Sequence, residues 1–147
     1  MTEDKKDFNK IFEDERLEWK EKIQTTALNL KSIQTVAKAQ IDLFSHRQIL
    51  LEYSHKLASI VAKLNSKYSS DKSRKMKEYS EKSDVRYGSN EKMLLIEGDL
   101  TEISEKIELV ENHRKFIDQT IQTVDHMLYG IRQRISLEEY LRGSTVK

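Results

Sequence analysis

One apolar pattern constrains this chain more than any other feature. Ile96, Leu100, Ile103, Ile107, Val110, Arg114, Ile117, Ile121, Val124, Leu128, Ile131 and Ile135 alternate steps of four and three without a slip. Such a heptad seam, kept for well over four repeats, predicts helix packed on helix along its whole length, because an amphipathic helix following its natural 3.6-residue period drifts off a strict repeat of seven. Arg114 is the one polar intruder. It is either a stem lying along the seam with its head in water or a register-setting partner for a carboxylate of a neighbouring chain. β-Branched residues dominate the seam, which in parallel coiled coils favours more than two strands. Ile117, Ile121, Val124, Leu128, Ile131, Ile135 and Tyr140 are therefore the expected self-association residues.

Composition points the same way. The 147 residues contain no proline and no cysteine, 37% are hydrophobic and 35% are charged. Too little apolar material is present for a thick monomeric core, but enough for long helices that each bury one stripe. The fold class predicted is all-α: long amphipathic helices in a single domain, residues 1–147, forming a helical-bundle or coiled-coil-like homo-oligomer larger than a dimer. Absence of cysteine removes disulfides and thiolate metal sites and fits a reducing compartment. The polar N-terminus does not read as a signal peptide, and the longest apolar run, Met93 to Ile96, is far too short for a membrane span. A cytoplasmic protein with no membrane partner is expected.

The remaining segments are read from the same periodicities. Residues 5–24 form an acidic helix. From Thr26 to Phe44, Leu30, Ile33, Ala37, Ile41 and Phe44 trace one helix face. Ser45 with Gln48 matches a capping box, so a new helix begins there or the first simply continues. Ile49, Tyr53, Leu57, Ile60, Leu64 and Tyr68 mark the next face. Val85 to Asn90 reads as a turn in which Gly88 takes positive φ and Ser89 or Asn90 caps the following helix. Ser136 with Glu139 suggests a short terminal helix whose apolar residues dock on a neighbouring subunit.

Catalytic chemistry finds no foothold. His46, His55, His113 and His126 do not pair at metal-binding spacing and are expected to be exposed helical residues. No glycine-rich phosphate loop or Gly-x-Ser-x-Gly elbow occurs. Neither an enzyme, a cofactor nor a metal is expected. Charge is more informative. Residues 1–24 carry six basic and eight acidic groups, residues 25–88 twelve and six, and residues 89–147 eight and eleven. The positive middle contains Lys56, Lys63, Lys67, Lys72, Arg74, Lys75 and Lys77, with Tyr53, Tyr68, Tyr79 and Tyr87 interleaved. Lysines that track phosphates beside aromatics that stack bases are what sequence-tolerant single-strand binding requires. The alternative is a solvated helix face whose tyrosines pack as core.

With those residues in view, the chain resembles the UvsY-type recombination mediators of T-even-like bacteriophages. Three stretches carry the resemblance: Ala62-Lys63-Leu64-Asn65-Ser66-Lys67-Tyr68-Ser69, similar to the family's basic DNA-binding helix; the turn into Ser89-Asn90-Glu91-Lys92-Met93 with Asp99 beyond; and Ile131-Arg132-Gln133-Arg134-Ile135-Ser136-Leu137-Glu138-Glu139-Tyr140, similar to its self-association helix. In the basic helix only Lys63, Lys67 and Tyr68 are kept. The resemblance implies a hexamer- to heptamer-sized ring that binds single-stranded DNA at Lys63, Lys67 and Tyr68, and the charge of the middle segment adds Lys56, Lys72, Arg74, Lys75 and Lys77 as candidate contacts. It implies two protein partners, a single-strand DNA-binding protein that is displaced and a RecA-type recombinase that is loaded. The competing expectation is a structural coiled-coil scaffold or adaptor that binds no nucleic acid.

Overall fold

In the computed structural model, which describes residues 2–82 and 88–145, helices account for nearly all of the chain and no strand occurs among the described residues. Helix α1 runs Thr2–Asn29 and α2 Ile33–Lys77. A π-helical turn, Glu78–Lys82, follows, then α3, Ser89–Asp99, and α4, Thr101–Thr145. The all-α expectation is met.

Four boundaries bear on the sequence reading: three differ from it, and the second settles an alternative left open. The first break falls at Leu30-Lys31-Ser32, inside the segment read as one face from Thr26 to Phe44. Ser32 starts α2: its Oγ accepts the Gln34 N–H at 3.3 Å. The terminal carbonyls of α1 are taken up by Thr35, whose hydroxyl donates to Asn29 O, and by Arg134, whose guanidinium donates to Leu30 O. Second, α2 passes through Ser45 without interruption, which decides between the two readings left open there. Third, Gly88 precedes α3 with φ −66° and ψ 158°, an extended conformation open to any residue, and caps by backbone alone, accepting Lys92 N–H at 2.9 Å. Val85, Arg86 and Tyr87 of the expected turn lie outside the described residues. Fourth, α4 continues past Gly130 and Ser136, so no separate terminal helix forms.

Tertiary contacts divide the chain into two compact units, Met1–Lys10 with His55–Arg114, and Ile11–Ser54 with Lys115–Lys147. In the first unit Ile96, Leu100 and Ile103 are buried, with Tyr68, Tyr79 and Ile107 packed against them. Lys106 Nζ stands 5.0 Å over the Phe8 ring. In the second unit Phe12 and Trp19 of α1, Val36, Ala39, Leu43 and Leu50 of α2, and Ile117, Ile121, Val124 and Ile131 of α4 are buried. Burying each large aliphatic side chain contributes roughly 1.5–3 kcal/mol.

This burial corrects two expectations. On α2 the inward stripe is Val36-Ala39-Leu43-Leu50. The stripe read from the sequence, Ile33-Ala37-Ile41-Phe44, faces out, with Ile41 70% exposed. On α4 the seam is real as a pattern, yet Ile117, Ile121, Val124 and Ile131 are covered within one chain and Leu128 partly so. At the Arg114 step the histidine before it occupies the interior: His113 is fully buried and Arg114 exposed. At 100° per residue, His113 falls on the same side of Val110 as the buried Ile117, Val124 and Ile131, and Arg114 on the other. His113 is thus not the exposed histidine expected, whereas His55 and His126 are.

His46 is the other histidine in a structured setting. Its ring meets Trp19 edge-on at 5.5 Å, and Lys22 Nζ stands 4.7 Å from the Trp19 centroid. Burial first, then the Lys22 charge, lowers the imidazole below its ordinary 6.5, opposed by Asp42. The unfolded chain therefore takes up a proton near 6.5 that the folded chain resists. Stability is fully present above that value and is lost as pH falls through the folded one. Melts followed by the fluorescence of Trp19, the sole tryptophan, should show a lower midpoint at about pH 5.5 than at about pH 7.5, a window in which carboxylates stay ionised. His46→Gln should narrow that difference, and an undiminished difference would locate the pH sensitivity elsewhere.

Candidate nucleic-acid interface

The basic residues expected to hold DNA lie on the second half of α2, within the first unit. Between His55 and Lys77 the chain carries seven basic residues and one acidic residue, Asp71. At 3.6 residues per turn, Lys56, Lys63, Lys67 and Arg74 fall within about 40° of one another, forming one stripe along the helix. All four are exposed. Lys77 flanks the stripe, and the exposed Ser66, Ser70 and Ser73 border it with hydroxyl groups able to bond phosphate oxygens. Asp71, half-buried, approaches the exposed Arg74 at 3.6 Å, a long contact at a solvent-facing guanidinium that contributes little. Seven carboxylates of this unit, against three basic side chains, sit at residues 89–114, on α3 and α4.

Two predicted basic residues stand apart from the stripe. Lys72 lies about 160° around the helix from Lys56. Lys75 is turned toward α3, with its Nζ 3.8 Å from Asp99 and 3.9 Å from Glu78. A lysine already flanked by two carboxylates has less charge to offer a phosphate.

Three of the four interleaved tyrosines take the core reading, and Tyr87 lies outside the described residues. Tyr68 packs against the Ile96-Leu100-Ile103 cluster. Tyr79 does the same, and its hydroxyl donates to Asp99 Oδ2 at 2.7 Å. Tyr53, in the second unit, is half-buried and donates to Glu15 Oε2 at 2.6 Å. Burial, then the Glu15 hydrogen bond and charge, hold its hydroxyl protonated well above the ordinary phenol range. Tyr68 therefore belongs to the core rather than to a stacking platform, for a reason periodicity held in plain view: it ends the same stripe as Leu57 and Leu64. Tyr68→Ala should lower folded stability by about 2 kcal/mol, half the fully buried aromatic figure. A thermal melt at unchanged midpoint would return Tyr68 to the surface.

Among the described residues no three histidine, cysteine or acidic side chains cluster as a metal site, and no helix is long and apolar enough to cross a membrane. No protein-family model, curated protein or solved structure matches the chain.

Proposed function

We propose that this chain is a non-catalytic, self-associating mediator of recombination that binds single-stranded DNA along the basic stripe of α2. Through that binding it helps a RecA-type recombinase load onto strands covered by single-strand DNA-binding protein. The observation that carries the reading is the stripe itself: Lys56, Lys63, Lys67 and Arg74 on one exposed face, with a single carboxylate in the whole 55–77 stretch. Spacing of this kind follows a flexible phosphate backbone without reading sequence. The resemblance to UvsY-type mediators supplies the recombination context. Repetition of the stripe in a homo-oligomer multiplies its field and its effective concentration along one strand.

Self-association is assigned to side chains that a single chain leaves uncovered. Ile135 is 41% and Tyr140 73% exposed, and Leu137 lies three residues before Tyr140 on its face of α4. The remaining seam residues support the fold from inside. A scaffold without nucleic-acid binding is the second reading, favoured by the outward apolar stripe Ile33-Ala37-Ile41 on α2, which suits a protein contact.

The deciding experiment is anisotropy of a labelled single-stranded oligonucleotide titrated with the protein across a salt series. Binding that weakens steeply with salt is expected. Absence of salt-sensitive binding would leave the scaffold reading standing.

A further inference from the structure

The middle-segment tyrosines described above pack inside the protein, so a single strand lying on the α2 stripe finds no aromatic platform among them. A different place offers one. In the second unit Gln40, Phe44 and Arg47 stand at i, i+4 and i+7 of α2, and Asp125, Tyr129 and Arg132 at i, i+4 and i+7 of α4. Together with Leu128 they line a cleft of about 350 Å³. The geometry points to this cleft as a site for an unpaired nucleobase, with the ring stacked on Phe44 or Tyr129, its polar edge toward the Gln40 carboxamide, and a flanking phosphate on Arg132.

Four observations favour that occupant. Phe44 is 54% and Tyr129 61% exposed, although Phe12, Trp19, Tyr53, Tyr68 and Tyr79 are wholly or half taken into packing. Arg132 forms no ion pair with any described carboxylate and is exposed. The one acidic residue of the cleft, Asp125, is engaged by Arg47 Nε at 2.6 Å, so it does not repel a phosphate. Finally, four of the seven lining residues, Gln40, Arg47, Asp125 and Arg132, are polar or charged, and an aliphatic side chain seated there would leave Gln40 and Arg132 desolvated without partners. A base presents a π-face to the aromatics and hydrogen-bonding edges to the amide, and its backbone brings the anion that Arg132 lacks. The volume falls within the range of sites that hold small planar ligands.

This inference rests on the single-strand reading above, and its test separates the two. The probes are a base-bearing single-stranded oligonucleotide and an abasic one of equal length, each titrated against the full-length protein and two double variants. Phe44→Ala with Tyr129→Ala removes both rings. Phe44→Leu with Tyr129→Leu removes the π-faces while keeping apolar bulk, and covers the case in which the alanine pair fails to fold. Both should weaken the base-bearing strand at least about tenfold and leave the abasic strand, the salt slope and the sedimentation coefficient unchanged. Unchanged affinity for the base-bearing strand would overturn the site. Equal weakening on both strands with a smaller assembly would overturn it too, making the patch a contact between copies. Wild-type protein that binds neither strand would remove the mediator reading, and this site with it.

Discussion

Ile117→Asp should unfold the protein rather than merely dissociate it. Ile117 is fully buried within one chain, so the substitution deletes a core side chain, worth roughly 2–5 kcal/mol. It also strands a carboxylate without water or partner, itself costing several kcal/mol. The sum is on the order of the whole stability of a domain this size. Urea unfolding followed by circular dichroism should show the native baseline lost or the midpoint sharply lowered. Ile135→Asp and Tyr140→Asp, at exposed positions, should hold stability to within about 0.5 kcal/mol and reduce the size of the assembly in sedimentation equilibrium. A folded Ile117→Asp variant with a wild-type midpoint and a smaller assembly would mean that the seam lies between chains after all.

Lys63→Ala combined with Lys67→Ala should flatten the salt dependence of single-strand binding by about 1.4 in the log–log slope, since each neutralised phosphate on a single strand contributes about 0.7. Fold and oligomer size should not change, because both side chains are exposed and off the buried stripe of α2. Lys72→Ala with Lys75→Ala serves as the comparison. These lysines point away from the stripe, and Lys75 is already flanked by Asp99 and Glu78, so the slope should move less. If the second pair flattened the slope more than the first, the strand would run along another face of α2.

Periodicity and composition alone determined that this chain is all helix, that α4 carries one long inward stripe and that positive charge collects in the middle. Helix formation is local, and a heptad of isoleucines has few other ways to be buried. Caps were legible in kind but not in place. The serine pattern at Ser45 and Ser136 looks like a helix start, yet the chain breaks at Ser32, where Thr35 and Arg134 take the orphan carbonyls of α1. Arg134 is remote in sequence, so no window around Ser32 contains it.

Only the tertiary structure decided which partner covers each stripe. A seam that reads as an interface between chains is equally well satisfied within one, and periodicity is blind to that choice. The same blindness put Ile33, Ile41 and Phe44 inside. The fold turns Val36, Ala39 and Leu43 inward instead, sends Tyr68 and Tyr79 onto Ile96 and Leu100, and leaves Phe44 and Tyr129 exposed around Arg132. Helix rotation is set by the sum of contacts along the whole element. A few residues' difference in where α1 ends and α2 begins is enough to change which face looks out.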